Sequence, residues 1–357
     1  MPSTFNGQLR PNEIMGSIYN MIISQQVFAD NVADNFGNIV NEAKVDGTLY
    51  GDTKLYYATD ALRTHEWGAD AEAANLLALD RPQDPKCQPI VLDVFRQIRV
   101  TLSNYLSKRA WGDEGVFATF TSIMKDWVQV TKRVYDTTTY NTFIGTTTAE
   151  RATQTVSITL TAGTEAQDIA KGLADLIVDM CDVSRKYNNY GFLRAESEDN
   201  IKIIWNADFV NKIKYLDTPE IYHKDVLEEK LTKYVLPARY FGTVLGVGGT
   251  ADGTQRSLIE KDYNTVAPSH EDYDPAKHVF PGDIIPTGEA YDAKKAYTVD
   301  SDVICKVVTQ LPPYMSAFEV GTSFFNPRSL TENNYLTFGR NTLQVLDGKP
   351  FVTVKKA

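Results

Sequence analysis

The residues best suited to chemistry lie on one stretch, 269–283, where His270, Asp272, Asp274 and His278 follow one another closely. Imidazole nitrogens and carboxylate oxygens are common metal ligands, so a loop metal site is one hypothesis. The spacing matches none of the closed metal sites that have recognised signatures, and a solvated acidic loop explains the composition equally well. We therefore predict no metal ligand in this stretch.

A second stretch, 242–254, is rich in glycine and raises the question of a phosphate-binding loop. Such a loop needs GxGxxG or GxxxxGK[ST] at the start of a helix, because backbone N–H groups must surround the phosphates. Gly246, Gly248 and Gly249 fit neither pattern, and no lysine follows them. The stretch favours a loop or turn between strands, and we predict no cofactor.

The sequence lacks the residue patterns that are typical of hydrolases. His65 and His223 stand alone, and neither GxSxG nor HExxH occurs. Glu196, Glu198 and Asp199 form a short acidic run, which is typical of a solvated turn. We predict no catalytic residue, and that the protein is not an enzyme.

Composition narrows the class of protein. The chain has 357 residues, of which 43% are hydrophobic and 23% are charged, as in ordinary globular proteins. The net charge of −10 argues against a nucleic-acid-binding protein, because affinity for phosphate backbones depends on clustered lysine and arginine. No apolar run long enough to span a membrane is present, so no membrane partner is expected. The three cysteines are far apart, which predicts buried, reduced thiols rather than disulfides.

Two helical patterns stand out. Residues 113–135 place apolar side chains at steps of three and four, with acidic residues first and Lys132 and Arg133 last, as the helix dipole prefers. Residues 164–187 repeat the pattern behind Thr164 and Gln167, which together suggest a capping box. An amphipathic helix is also predicted from about Pro11 in an N-terminal arm.

Residues 45–102 are predicted to be mainly β. The stretch VDGTLYGDTKLYYATD, residues 45–60, alternates turn and strand signals. The stretch PIVLDVFRQIRVTL, residues 89–102, alternates with a period of two and has one mainly apolar face. We interpret the first as the outgoing limb and the second as the returning limb of a long excursion.

The rest of the chain indicates a mixed α/β unit followed by further strands. Residues 200–206 and 301–311 are predicted strands, and Thr218 is the predicted N-cap of another helix. A hairpin turning at 347–349 is predicted between residues 336 and 356. The aromatic pairs Tyr56–Tyr57 and Phe324–Phe325 suggest core or interface packing.

In the order of these parts the sequence resembles the major capsid proteins of tailed bacteriophages. The stretches FNGQLRPNEI, GDTKLYYATD and VLDVFRQIRVTLSNYLSKRAW also resemble coat proteins of small phages. The resemblance implies an α+β phage capsid fold with an arm, an extended β-hairpin loop, a peripheral domain with a long spine helix and β-sheet, and a mixed α/β axial domain. The expected boundaries are 1–44 for the arm, 45–102 for the extended loop, 103–163 and 310–357 for the peripheral domain, and 164–309 for the axial domain.

The same resemblance implies a structural function. Copies are expected to form the hexamers and pentamers of an icosahedral head that encloses double-stranded DNA without sequence-specific binding. The protein itself, portal protein and scaffolding protein are the expected partners. The virion is the expected location, after assembly in the cytoplasm of the host bacterium. Some relatives crosslink the loop through Lys and Asn; Lys54, Asn333 and Asn334 are of these types, but no matching pattern surrounds them.

Three alternatives remain open at the level of sequence. An encapsulin-like shell protein would share the fold and enclose a protein cargo. A tail or baseplate protein would favour β-sandwiches, against which the two long helical patterns argue. An α/β enzyme would need a metal site in 269–283.

Overall fold

A computed structural model describes residues 35–48, 51–62, 64, 82–103, 114–147, 151–214, 234–245, 290–292 and 295–357. The helices are α1 Asn38–Ala43, α2 Glu114–Thr146, α3 Glu165–Cys181 and α4 Ala207–Lys214. The strands are β1 Lys44–Asp46, β2 Thr53–Ala58, β3 Lys86–Ser103, β4 Thr155–Ile158, β5 Lys202–Asn206, β6 Val235–Leu236, β7 Gly242–Leu245, β8 Ala290–Asp292, β9 Lys295–Val299, β10 Val303–Val308, β11 Tyr314–Asn326, β12 Thr331–Asn341 and β13 Phe351–Lys356.

The first sheet has the strand order β1-β11-β12-β3-β2 and is built around the long strand β3. The predicted alternation in β3 is confirmed at Ile90, Leu92 and Ile98, which are buried while their direct neighbours along the strand at 89, 91, 93, 97 and 99 are exposed. The inner face of β3 and β12 packs against α2, where Ile98 and Phe338 contact Val128. Burial of one face fixes the register of these strands.

The stretch at 45–60 does not form a hairpin of its own. β1 pairs with β11 at one edge of the first sheet, and β2 pairs with β3 at the other. Gly47 passes so close to the sheet between them that a Cβ atom there would lie 2.8 Å from the Met315 side chain. Gly51 has φ +79°, the left-handed region that glycine tolerates best. The two limbs of the excursion do pair with each other, as β2 and the start of β3.

The second sheet has the order β4-β13-β10-β5-β6. Helix α3 covers one of its faces with the apolar stripe that the sequence predicts, including Ile169, Leu173, Leu176 and Met180. These side chains share a buried cluster with Ile158 and residues of β5, β10 and β13. Helix α3 ends at Cys181, which is earlier than the predicted end at Tyr187. The third sheet is small and has the strand order β7-β9-β8. The second sheet takes strands from both sides of the boundaries expected for peripheral and axial domains.

Helix α2 is longer than its sequence pattern predicts. It begins at Glu114, as expected, but ends at Thr146 rather than at Tyr135. The extra turns are buried although they are rich in threonine and asparagine. Thr138 and Thr146 bond the carbonyls of Val134 and Thr142 within the helix, which satisfies hydroxyls that would otherwise favour a turn.

Two further local predictions are wrong. β12 and β13 lie in different sheets, so the turn at 347–349 does not join a hairpin. Thr164 is the N-cap of α3, but its side chain forms no capping bond to the helix backbone. Asp168 instead accepts bonds from the Thr161 N–H at 2.7 Å and the Thr164 hydroxyl at 3.4 Å. The carboxylate therefore closes the turn that precedes α3.

The cysteines form no disulfide, as expected, but only Cys305 is buried; Cys181 is half-buried and Cys87 is exposed. Cys87 lies on β3 next to the buried position Gln88, so the strand alternation turns it outward. Within the described ranges no helix is both long and apolar enough to cross a membrane. The helices predicted near Pro11 and after Thr218 lie outside the described residues.

Candidate assembly surfaces

Residues 59–85 join β2 to β3. The two ends of this segment, which we call the base of the excursion, are the first candidate surface. Asp60 holds its outgoing side. The Asp60 carboxylate accepts a bond from Arg185 Nη1 at 2.6 Å and another from the Leu193 N–H at 2.8 Å. Arg194 adds a bond from Nη2 to the Thr59 carbonyl at 2.6 Å. The excursion therefore leaves the body of the protein from a defined point on the 182–194 loop.

Gln88 holds the returning side. Its amide nitrogen donates to the Val345 carbonyl at 2.7 Å, and its amide oxygen accepts from the Asp347 N–H at 2.9 Å. Gln344 reaches back to the Pro89 carbonyl at 3.0 Å. Both ends of this segment are therefore bonded to the rest of the subunit.

The bonds to Asp60 also set its electrostatics. The Leu193 N–H, with Arg185 beside it, lowers the pKa of the Asp60 carboxyl from 3.8 to about 2. Because the folded pKa is below the unfolded one, the charged form is favoured by folding. The contribution is complete above the unfolded pKa and is lost as the pH falls through about 2. The base of the excursion should therefore stay anchored throughout the neutral and mildly acidic range.

We predict that Asp60→Ala will loosen this base without unfolding the subunit. The Leu193 N–H then loses its acceptor, so its hydrogen exchange should accelerate by roughly ten-fold through local opening. Asp60→Asn keeps an acceptor oxygen but loses the charge, and should show a smaller effect. Asp199→Ala, at an exposed turn, serves as the matched control. Unchanged exchange at Leu193 in Asp60→Ala would contradict the assignment.

A cavity of about 280 Å³ opens beside this base. Its lining includes Tyr56, Tyr57, Gln88, Tyr190, Arg194 and Lys349. The cations in it already have partners, since Arg194 bonds Thr59 and Lys349 lies 3.3 Å from Glu196. The arrangement is a polar cleft at a structural junction and does not gather free groups around a ligand.

The second candidate surface is the far end of the first sheet. The β11-β12 ribbon forms this end and carries Phe324 and Phe325, which are 60% and 49% exposed. These two rings lie on opposite faces of β11, because side chains alternate along a strand. The pair is therefore not a single stacking platform. Exposed apolar side chains on both faces are typical of a surface that contacts another protein.

Several other large apolar side chains are exposed in the described ranges. Tyr57 and Leu62, near the base of the excursion, are 67% and 76% exposed. Trp127, predicted to belong to the apolar face of α2, is 52% exposed, and Val128 takes the buried position instead. Val178 on α3 is exposed as well. Their spread over separate elements indicates several contact areas rather than one binding pocket.

Two buried lysines, Lys132 and Lys306, bind polar groups inside the subunit. Lys132 Nζ lies 2.7 Å from the Asp136 carboxylate, which also accepts a bond from the Tyr314 hydroxyl at 2.6 Å. Lys306, in the second sheet, donates to the Thr147 carbonyl at 2.8 Å and the Thr353 hydroxyl at 2.9 Å. Burial lowers the pKa of Lys306 to about 7. The Lys132–Asp136 pair lies within α2 and is joined to β11 through Tyr314, whereas Lys306 joins β10 to β13 and to the end of α2.

Other residues named from the sequence make structural contacts where the structure describes them. Glu196 pairs with Lys349, and Glu198 and Asp199 lie in a short 3-10 turn. Lys54 lies on β2 beside Asp52, whereas Asn333 lies on β12 and bonds Thr101. No group of three metal-ligating side chains comes together within the described ranges. His65, His223, the 246–254 part of the glycine-rich stretch and the 269–283 loop lie outside the described residues.

One comparison with known proteins identifies a family. Residues 6–342 match the family model described as Phi29-like phage major capsid protein. The search of curated proteins found no match. Among solved structures, a chain in the capsid structure of Staphylococcus phage Andhra is 13% identical and has a TM-score of 0.64, with 95% of this chain and 90% of that chain covered.

A second structural match supports the same fold. A chain in the structure of the head fiber and inner core protein gp22 of native bacteriophage P68 is 12% identical, with a TM-score of 0.66. The match covers 94% of this chain and 88% of that one. At such low identity these structures show a shared fold and nothing finer. The expected α+β architecture is confirmed at that level.

Proposed function

The chain belongs to the Phi29-like phage major capsid protein family, and we propose that its copies assemble into the hexamers and pentamers of an icosahedral phage head. The head encloses double-stranded DNA, forms in the cytoplasm of the host bacterium, and joins portal and scaffolding proteins. The arm 1–44, the extended loop 45–102 and the peripheral and axial domains, with the boundaries given above, are part of this proposal. The observation that carries it is the family match over residues 6–342.

The anchored excursion supports the proposal physically. Asp60 and Gln88 fix the two ends of a segment whose residues 64–80 contain four carboxylates, no lysine or arginine, and the apolar residues Trp67, Leu76, Leu77 and Leu79. A segment of this composition gains stability by burying its apolar side chains against another surface. We propose that this surface belongs to the adjacent copy, so that the excursion joins neighbours.

The charge of the chain suits an enclosure for DNA. A net charge of −10 gives no general attraction to phosphates, and the described ranges hold no motif for reading bases. DNA can then be packed against the inner wall without being bound to it.

Deleting 63–81 and joining the ends with a short Gly-Ser linker tests the role of the excursion. The deletion leaves β2, β3 and both anchors intact, whereas a longer deletion of 48–88 would remove β2 and Gln88. We expect a folded subunit, by circular dichroism and thermal unfolding, that forms no closed shells in negative-stain electron microscopy. The unmodified chain should form shells, tubes or six-membered rings.

Mixing the two chains provides the control. If the excursion joins neighbours, the deleted subunit should be poorly incorporated when it is expressed together with the unmodified chain. Closed shells of normal size made from the deleted subunit alone would rule out this role.

A further inference from the structure

The outer edge of β11 is open. β1 covers β11 only at its start, where Lys44, Val45 and Asp46 pair with 314–316. From 320 to 326, β11 pairs with β12 on one side. Across the described ranges no strand lies on its other side. Along these seven residues, the backbone N–H and C=O groups of every second residue therefore face outward.

The sequence of this edge does nothing to prevent pairing. Residues 320–326 read VGTSFFN, with neither a charged residue nor a proline. Val320, Phe324 and Phe325 are exposed there. Proteins usually protect an edge strand with charges, proline, bulges or a covering segment, because open edges add further strands. The bulge of β11 lies before this stretch, between Ala317 and Val320.

The opposite side of the same three-stranded ribbon is open too. β2 covers β3 only over 86–91, so residues 94–103 of β3 pair with β12 alone within the described part of the chain. This second edge carries Arg96 and Arg99, whereas β11 carries Glu319 as its one charged residue. The two open edges are similar in length, and only the edge of β3 is charged, because Glu319 precedes the open stretch 320–326.

We propose that the open edge of β11 in one copy pairs with the open edge of β3 in the next copy. Extended segments commonly bind in this way, because main-chain hydrogen bonds provide affinity and side chains on both faces provide specificity. A pairing between two different edges is head-to-tail, and such contacts close into rings when the rotation between copies allows it. The inference rests on the proposed assembly and assigns one of its contacts.

Gly321 is the position at which to test this edge. A Cβ atom there meets nothing within 4 Å, so larger side chains fit the subunit. Gly321→Lys places a charge on the edge, which is how natural edge strands are blocked. Gly321→Val is the matched control, because valine favours strands and leaves the edge uncharged. We expect Gly321→Lys to reduce the assembled fraction at least ten-fold, and Gly321→Val to keep or raise it.

A second variant tests the partner edge. Thr101 is exposed on β3 and bonds the Asn333 side chain at 2.7 Å. Thr101→Lys should block assembly as Gly321→Lys does. Each variant keeps the edge that the other has lost, so an equimolar mixture can form one good contact. Light scattering should then show a heterodimer in the mixture and monomers in each separate sample.

The outcomes separate this inference from the proposed function. If the unmodified chain assembles and Gly321→Lys assembles equally well, with both folded by circular dichroism, the edge pairing is wrong. If Thr101→Lys alone forms dimers, β11 pairs with its own copy and the head-to-tail arrangement is wrong. If the unmodified chain stays monomeric at every concentration, the proposed shell function fails and this inference fails with it.

Discussion

Lys132→Met will lower the free energy of unfolding of the subunit by about 3–5 kcal/mol, because it leaves a buried carboxylate without its cation. The side chains of Lys132 and Asp136 are 9% and 3% exposed and lie one helical turn apart. Tyr314 then remains as the hydroxyl donor to Asp136, and one hydrogen bond does not replace an ion pair. Denaturant unfolding of the unassembled subunit measures the effect.

The double variant Lys132→Met, Asp136→Leu is the control. It removes both charges, and buried pairs replaced by apolar residues often lose little stability. We expect it to be more stable than Lys132→Met alone, which is a coupling that only an interacting pair produces. Single changes that cost less than about 1 kcal/mol, the range of surface pairs, would show that the pair is hydrated instead.

Gly145→Ala will destabilise the subunit by more than about 3 kcal/mol, although the same change usually stabilises a helix by 0.5–1 kcal/mol. Gly145 lies in the last turn of α2 against the 3-10 turn Ala238–Tyr240. A Cβ atom at Gly145 would lie 2.0 Å from the Tyr240 carbonyl oxygen, and backbone cannot move aside as a side chain can. Thermal unfolding measures the change.

Gly172→Ala in α3 is the matched helical control. There the added methyl group would meet the end of the Ile158 side chain at 2.6 Å. Ile158 can adopt another rotamer, so we expect a change of less than about 1.5 kcal/mol. Equal effects at both glycines would show that helix propensity, rather than the close approach of α2 to Tyr240, decides the result.

Local patterns predicted much of the fold. The alternation with a period of two in β3 predicted which face of the strand is buried, because one side of the sheet is apolar and packs against α2. The apolar stripe of α3 likewise predicted which face of the helix packs on the second sheet. The order of arm, long loop, spine helix and later strands was enough to indicate the family that the comparisons confirm.

The errors arose where tertiary contacts override local signals. The last three turns of α2 contain Thr137, Thr138, Thr139 and Asn141, which resemble a loop in sequence. They are helical because neighbouring elements surround them, and the Tyr140 hydroxyl bonds the Pro312 carbonyl at 2.7 Å. The turn at 347–349 was correctly located, but nothing local shows that the strands on its two sides join different sheets.

The candidate surfaces were harder to predict than the fold. The anchor at Asp60 depends on Arg185 and Leu193, which are 125 and 133 positions away in the chain. No local pattern marks Asp60 as special between Thr59 and Ala61. The open edge of β11 has a sequence signal, the uncharged stretch VGTSFFN, but only the strand order shows that it is an edge.

The position of β13 has a consequence for the order of folding. β13 lies between β4 and β10, so the second sheet stays in two parts until residues 351–356 arrive. A ribosome makes roughly 5–20 residues per second, so β4 waits about 10–40 seconds for its neighbour. The first sheet also depends on distant pairing, with Thr342 bonded to Asp93 across 249 positions. Chains that stop before residue 351 thus lack a finished second sheet, and in the proposed assembly only copies whose synthesis has passed β13 can take part.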